Sequence, residues 1–91
     1  IKMTNIEVIQ RFLNKRAGHT PTRVIYDDYY SYKGQTLKSN GLELINYSTR
    51  IAFHQDNKLY INVRKYSRTT SKIISQLKDL ATEYDIIEYE E

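Results

Sequence analysis

Apolar residues recur along this chain with two different periods, and these periods predict where the helices and strands lie. Near the N-terminus the spacing is helical. The residues expected on the buried face of this first helix are Ile6, Ile9, Phe12 and Leu13. Thr4 and Glu7 have the spacing of a capping box at its start. We expect Gly18 to supply the left-handed residue after its last turn, because Pro21 prevents continuation.

The middle of the chain has the composition of β-strands. Residues 24–32 are rich in tyrosine and β-branched residues, which predicts one strand, or a strand and a turn. Asn40-Gly41 separates residues 36–38 from residues 42–47 and is a strong hairpin signal. We therefore expect an antiparallel hairpin at this position.

A second hairpin is predicted to join residues 50–55 to residues 59–66. The side chains expected on its buried face are Ile51, Phe53, Leu59, Ile61 and Val63. Because side chains alternate along a strand, this set shares one face only if the loop has an odd length. A loop of residues 56–58, with Asn57 left-handed, meets that condition.

The last long element is predicted to be a helix from about residue 70 to residue 84. Its apolar stripe consists of Ile73, Ile74, Leu77, Leu80, Ala81 and Tyr84. Residues 85–91 follow as a short edge strand or an acidic tail. The element order predicts a single small α+β domain covering residues 1–91: an N-terminal helix, an antiparallel β-meander of three to five strands, and a C-terminal helix packed on the sheet.

Charge is distributed unevenly along the 91 residues. Residues 1–78 contain all 14 basic residues and five of the 11 acidic ones, a formal charge of 14 − 5 = +9. Residues 79–91 contain the other six acids and no base. A basic body with an acidic tail is typical of proteins that meet polyanions, the tail competing for the same patch. A solvated surface with a solubilising tail is the alternative.

Composition also excludes several kinds of site. The chain has no cysteine, so it has no disulfide, thiolate zinc site or cysteine nucleophile, and a reducing setting fits best. We expect no membrane partner and a cytoplasmic location, because no apolar run would span a bilayer and the N-terminus does not resemble a secretory signal. Asp27 and Asp28 would face opposite sides of a strand, so no metal site or cofactor is predicted.

The start of the second helix is the sharpest functional signal. The segment comprises Tyr66, Ser67, Arg68, Thr69, Thr70, Ser71 and Lys72. Its hydroxyl groups would lie beside the free N–H groups of the helix start. Basic Arg68 and Lys72 at this end, and acidic Asp79 and Glu83 at the other, oppose the helix dipole by about 0.3–1 kcal/mol per charge. We interpret this start as an anion site for phosphate or carboxylate. A plain Ser/Thr cap with outward-pointing bases is the alternative.

The outward face of the second hairpin is another candidate. In the predicted register Tyr60 lies opposite His54 and Arg64 opposite Arg50, with Asn62 and Tyr66 continuing the row. Two facing arginines destabilise a sheet unless something negative bridges them. Such a face suits stacking and hydrogen bonding to nucleic acid. Alternatively, an acid from a neighbouring strand, such as Glu43, neutralises the pair.

Two weaker signals complete the candidates. A tyrosine-rich segment beside Asp27 and Asp28 suits a protein-binding edge, or half-buried strand residues on a small core. Its tyrosines are Tyr26, Tyr29, Tyr30 and Tyr32. His54, near Tyr60 and Arg64, belongs to a set that can in principle cleave RNA without metal. A lone strand histidine is more often structural or a binding contact, so no catalytic residue is predicted.

Part of the chain resembles a known family. The motif Y-S-R-T-T-S-K at residues 66–72, with Y-S-T-R-I-A at 47–52 and Y-I-N at 60–62, is similar to a family of small bacteriophage and mobile-element proteins. The resemblance covers about residues 45–72 and implies a context, since no activity is established for that family. In layout alone, the chain is also similar to double-stranded-RNA-binding domains, whose Gly-rich and Lys-Lys signature is missing here.

Small phage proteins largely bind and disable host machinery. The resemblance, together with the anion site, therefore implies a non-enzymatic protein that engages and inhibits a host nucleic-acid-processing or defence complex, as anti-CRISPR proteins do. Its partner would be a host protein or ribonucleoprotein complex. The first alternative is direct DNA or RNA binding, with phosphates on Arg64, Lys65, Arg68 and Lys72, and Tyr60 and Tyr66 against sugar or base. The second is a small ribonuclease or toxin that uses His54.

Overall fold

The computed structural model describes residues 3–26, 31–64 and 66–91. Within them, two helices pack on one face of a six-stranded sheet, and two further strands form a separate ribbon. The α+β class is therefore confirmed, with more strands than the three to five predicted. The elements are α1 Asn5–Leu13, β1 Ala17–His19, β2 Thr22–Tyr26, β3 Ser31–Gln35, β4 Leu37–Asn40, β5 Glu43–Asn46, β6 Thr49–Gln55, β7 Lys58–Asn62, α2 Arg68–Leu80 and β8 Ile86–Tyr89.

Helix α1 begins as predicted. The Thr4 hydroxyl accepts a hydrogen bond from the Glu7 backbone N–H at 3.3 Å, and the Glu7 carboxylate accepts one from the Thr4 N–H at 3.4 Å. This reciprocal capping box satisfies two donors at the helix start. Ile6 is 44% exposed, and Val8 takes its predicted place in the core.

The end of α1 differs from the prediction. Lys15, with φ of 57°, is the left-handed residue after the helix. Its N–H donates to the Phe12 carbonyl at 2.9 Å, and the Arg16 N–H donates to the Arg11 carbonyl at 2.7 Å, the bond pattern of a Schellman motif. Gly18 instead lies in β1, where an added Cβ would come within 2.7 Å of the Arg11 side chain. Close packing, not helix termination, therefore accounts for this glycine.

Residues 17–26 and 31–40 form one long bent ribbon. The pairs Ala17–Asn40 and Thr22–Gln35 belong to the same antiparallel register, so β1–β2 and β4–β3 are continuous. The half made of β1 and β4 belongs to the six-stranded sheet. The outer half, made of β2 and β3, is the separate ribbon. We call this outer half the arm.

The arm occupies most of the segment predicted as one strand or a strand and a turn. Tyr26 is 79% exposed, whereas Tyr32 is half-buried, with its ring edge-on to Tyr47 at 5.0 Å. The half-buried state expected of these tyrosines is therefore seen at Tyr32, and the protein-binding edge stays a prediction. Asp27, Asp28, Tyr29 and Tyr30 lie outside the described residues.

The β4–β5 hairpin forms as predicted, one residue further along. Leu37 pairs with Asn46 and Ser39 with Leu44, so Gly41 and Leu42 make the turn. The Asn40 side-chain oxygen accepts hydrogen bonds from the backbone N–H groups of Leu42 and Glu43 at 2.9 and 2.7 Å. Asn40 thus ends the strand through its side chain, while Gly41 supplies the positive φ of 98°.

The predicted register of the β6–β7 hairpin is wrong by one residue. Its turn has two residues, Asp56 and Asn57, with φ of 53° and 62°. Both central residues are left-handed, as in the type I′ turn that suits the twist of a hairpin. Tyr60 consequently pairs with Phe53, not with His54.

A β-bulge explains why the parity argument failed. Leu44 pairs with Ala52 and Ile45 with Arg50, which leaves Ile51 as an additional residue on β6. Ile51 and Ala52 are both fully buried although they are consecutive. Phe53 is thereby turned away from the core, onto the sheet face that carries no helix.

The C-terminal third forms a β-α-β unit. Helix α2 begins two residues earlier and ends four residues earlier than predicted. Its stripe still packs as expected beyond that end: Ala81 is buried, and the Tyr84 hydroxyl donates to the Leu13 carbonyl. Strand β8 pairs in parallel with β7, so the acidic segment is an edge strand and the sheet is mixed rather than an antiparallel meander.

The two helices run in the same direction on their face of the sheet. Thr4 and Asn5 at the start of α1 line one groove together with Thr69 of α2. Leu13 at the end of α1 lines another depression together with Leu80, the last residue of α2. The core lies between the helices and the sheet and comprises Val8, Ile9, Phe12, Leu13, Leu37, Leu44, Ile51, Ala52, Leu59, Ile61, Ile73, Ile74, Leu77 and Ala81.

Neither helix in the described part of the chain has the length and apolar character that crossing a membrane requires.

Replacing Lys15 by glycine tests the observed helix end. Lys15→Gly should raise the free energy of unfolding by about 1 kcal/mol, because a left-handed residue with a Cβ costs about 1–2 kcal/mol. Thermal unfolding should then shift upwards by about 4–8 °C for a domain of this size. Lys15→Ala is the control, since it removes the same charge and keeps the Cβ. Equal effects of the two substitutions would contradict this account.

Candidate anion-binding groove

The start of α2 has the hydroxyl cap that the sequence predicts. Ser67 is the N-cap residue, and its hydroxyl accepts a hydrogen bond from the Thr70 backbone N–H at 3.2 Å. The first turn contains no acid. The exposed residues of this segment are Ser67, Arg68, Thr69, Ser71 and Lys72. The basic side chains therefore face solvent at the positive end of the helix dipole.

Two of the predicted hydroxyl groups have structural roles. Thr70 is 5% exposed, and its hydroxyl donates to the Asn46 side-chain oxygen at 2.6 Å. The Asn46 amide in turn donates to the Thr36 carbonyl at 2.7 Å, and the hydroxyl groups of Thr36 and Thr20 lie 3.2 Å apart. This network joins the Ser67 cap to β5 and the bend of the ribbon. It holds the first turn of α2 in one position relative to the sheet.

A groove lies above this network, between the arm and the two helix starts. Its volume is about 320 Å³. Its lining residues are Met3, Thr4, Asn5, Thr20, Pro21, Arg23, Thr36, Asn46, Tyr47, Thr69 and Ile73. A second depression, lined by Arg68 and Lys72, adjoins it and shares Asn5, Thr69 and Ile73. We call the two together the N-terminal groove.

Positive potential from three sources meets in the N-terminal groove. Because α1 and α2 run in the same direction, the positive ends of both dipoles and the free N–H groups of both first turns lie there. Arg23, Arg68 and Lys72 add three exposed cations. Among the ion pairs of the described residues, none involves these three side chains. Within the described residues, the one carboxylate at the two helix starts is that of Glu7, which bonds the Thr4 N–H and forms no ion pair with these cations.

Several lining residues of this site, Arg23, Asn46 and Tyr47 among them, are not site residues that the sequence predicts. Arg23 reaches the groove only because the ribbon bends, which no local pattern shows. Asn46 had a usable signal, since it follows Leu44 by two residues and so occupies a core-facing position in a strand. A polar residue at such a position requires buried partners, and Thr70 and Thr36 supply them.

On the open sheet face, where the stacking platform was predicted, the side chains contact one another. The Phe53 and Tyr60 rings stack at 4.7 Å with an angle of 2° between their planes. The Arg50 guanidinium lies 4.2 Å from the centre of the Phe53 ring. Arg50 also pairs with Glu43 at 3.3 Å, as the alternative interpretation held. With a partner on each side of its ring, Phe53 has no free face for a base.

The acidic segment engages the basic residues nearest to it. Glu91 lies 3.9 Å from Arg50, and its carbonyl accepts a hydrogen bond from Arg64 at 2.9 Å. Glu88 pairs with Lys78 at 2.7 Å. None of these contacts involves a cation of the N-terminal groove. The acidic segment is therefore placed to compete with a polyanion at Arg50, Arg64 and Lys78, and not at the groove.

The other predicted residues of the second hairpin do not join the groove. Arg64 lies beyond β7, not opposite Arg50, and its guanidinium is 5.7 Å from the Tyr66 ring. Asn62 is fully buried and donates to the Tyr66 hydroxyl at 2.8 Å. Asn62 and Tyr66 therefore support the strand end, and Lys65 lies outside the described residues.

His54 lies on the helix-covered face of the sheet, opposite Leu59. Its Nε2 is 2.8 Å from the Phe12 carbonyl oxygen, and its ring packs against the Phe12 ring at 4.5 Å. Tyr60 points to the other face, so the set proposed for RNA cleavage does not assemble. In the described parts of the chain, no group of three or more histidine, cysteine or acidic side chains is placed to hold a metal ion.

Tyr89 extends the aromatic row of the open face, with its ring 5.5 Å from that of Phe53. Its hydroxyl is buried and has no hydrogen-bond partner among the described residues. Burial raises the pKa of this hydroxyl above its ordinary value of 10.0, and the nearby Arg50 charge opposes the shift. The hydroxyl therefore stays protonated, and Tyr89 acts as a neutral packing residue.

Comparison with known proteins adds no identification: the chain matches no protein-family model, no curated protein and no solved structure. The functional argument therefore rests on the geometry of the groove.

Substituting the buried and exposed threonines of α2 separates the supporting network from the binding surface. Thr70→Val should lower the free energy of unfolding by about 1–3 kcal/mol, because it leaves the buried Asn46 oxygen without its donor. Thr69→Val is the matched control and should change stability little, since Thr69 is exposed. Urea unfolding of both variants measures the difference. A Thr70→Val variant as stable as Thr69→Val would refute the network.

Proposed function

We propose that this protein is a non-enzymatic binding protein that engages the phosphate groups of nucleic acid, or of a complex that carries nucleic acid, through the N-terminal groove. One observation supports this most: two parallel helices direct their N-termini at one groove, and its three cations have no carboxylate partner among the described residues. Free N–H groups with guanidinium and ammonium groups are the donors that bind phosphate.

The charges of α2 support the same function. An acid near the start of a helix and a base near its end are the stabilising arrangement, and α1 has Glu7 and Arg11 in those places. In α2, Arg68 occupies the first helical position, where its positive charge is repelled by the helix dipole. It also lies four residues from Lys72, so the two like charges repel each other. A helix start arranged against its own stability is accounted for if an anion binds there.

The resemblance to phage proteins bears on the partner. The motif at residues 66–72 coincides with the start of α2 and so with the groove. Within this proposal, the protein binds exposed phosphate groups of a host nucleic-acid-processing or defence complex and thereby inhibits it. A ribonucleoprotein complex fits best, since it offers phosphate groups and protein surface together.

Reversing the charge of Arg68 tests the proposal with two opposite readouts. Arg68→Glu should stabilise the fold by about 1 kcal/mol, because it places an acid at the helix start and an i, i+4 pair with Lys72. The same change should weaken binding to a labelled oligonucleotide by about tenfold or more at low salt, measured by fluorescence anisotropy. Lower stability, or unchanged binding, would contradict the proposal.

Lys58→Glu is the control for net charge. Lys58 is exposed and adjoins the Asp56–Asn57 turn, which lies near Lys15 at the far end of α1. This variant changes the formal charge by the same amount, so its binding should fall by less than about threefold. If it loses as much affinity as Arg68→Glu, the effect comes from overall charge and not from the groove.

A pull-down from host lysate addresses the partner. The wild-type protein should capture a nucleic-acid-processing complex that the Arg68→Ala, Lys72→Ala variant fails to capture. Nuclease treatment then distinguishes contact with the nucleic acid of the complex from contact with its protein. Capture lost after digestion indicates contact through nucleic acid, and capture retained indicates contact with the protein of the complex. Equal capture by the variant would exclude the groove as the contact surface.

A further inference from the structure

Tyr47 stands out among the groove residues because its backbone is unfavourable for its side chain. It has φ of 56°, in the left-handed region, within the turn between β5 and β6. A bulky residue there is a genuine outlier, and glycine or asparagine is the usual occupant. Outliers of this kind cluster at functional sites.

The position places an aromatic ring in the groove. The Tyr47 side chain lines the 320 Å³ space, and the Tyr32 ring contacts it at 5.0 Å with an angle of 75° between the planes. The Tyr47 N–H donates to the Thr36 carbonyl at 2.9 Å, which ties the turn to the ribbon bend. The ring is therefore held in place before any ligand arrives.

The size and lining of the groove suit one small ligand with both a charged and a flat apolar part. Its volume lies at the low end of ligand pockets, which span roughly 300–1,000 Å³. Arg23 and the helix starts lie on its charged side. Tyr47, Met3, Pro21 and Ile73 provide apolar surface.

We propose, building on the proposed function, that the N-terminal groove binds one nucleotide whose base is unpaired. The phosphate lies at the starts of α1 and α2 beside Arg23 and Arg68. The base enters the groove and stacks on Tyr47. Since a paired base is inside a duplex and cannot enter, the site selects a single strand, a strand end or a free nucleotide over duplex DNA or RNA.

Binding to strands of equal charge tests the base contact. The probes are an oligothymidine of about ten nucleotides, an abasic strand with the same number of phosphates, and a duplex of the same length. Stacking of one base on an aromatic ring should make the oligothymidine bind about tenfold more tightly than the abasic strand. Tyr47→Asn, which suits the left-handed backbone, should reduce that affinity to the abasic level. Tyr47→Phe should keep it.

The outcomes separate this inference from the proposed function. If Arg68→Glu weakens all three probes but the oligothymidine and abasic strand bind equally, the phosphate site stands and the nucleotide inference is wrong. If Arg68→Glu weakens none of them, the proposed function itself is wrong. Tighter binding of the duplex, or full affinity in Tyr47→Asn, would also overturn the inference. Competition by thymidine monophosphate at about tenfold lower concentration than inorganic phosphate requires supports it and identifies a free nucleotide as a ligand.

Discussion

The parallel packing of two helices on one sheet face is the constraint on which the rest of this structure depends. Both helices bury an apolar stripe in one core, and the starts of both line the same groove. Their dipoles therefore add at the N-terminal groove. In an antiparallel pair one positive end would lie beside one negative end, and no such concentration of potential would arise.

At the start of α2, the basic charges that suit an anion lower the stability of the helix. Helix α1 follows the capping and charge rules, whereas α2 has bases at its start and Asp79 and Glu83 near its end. A local rule that holds in one helix and is broken in the next points to a functional requirement at the second. The Ser67–Thr70–Asn46 network compensates, because it fixes the unfavourable turn to the sheet through buried hydrogen bonds.

The features that the sequence predicts correctly are local ones. The capping box of α1, the apolar stripes of both helices apart from the exposed Ile6 and Leu80, and the position of the first hairpin each depend on residues a few positions apart. The start of α2 as a basic, hydroxyl-rich cluster belongs to this class. The predicted register of β6–β7 failed because a bulge at Ile51 changes the parity and Asn57 shortens the turn to two residues. Because of this one-residue error, the prediction places Phe53 on the core face and His54 on the open face, the reverse of what the structure has.

The rest of the site depends on tertiary structure that a single sequence does not show. Arg23 joins the groove because the ribbon bends between β1 and β2, and Asn5 joins it because α1 lies parallel to α2. On the open sheet face, Arg50 and Tyr60 contact the Phe53 ring, which the predicted register had placed in the core. The most direct test of the central claim is to titrate inorganic phosphate into isotopically labelled protein and follow the backbone amide resonances. The account predicts saturable shifts that are largest at the starts of both helices, at Asn5 and Arg68 and their next residues. Shifts confined to one helix, or largest on the open sheet face around Tyr60, would contradict it.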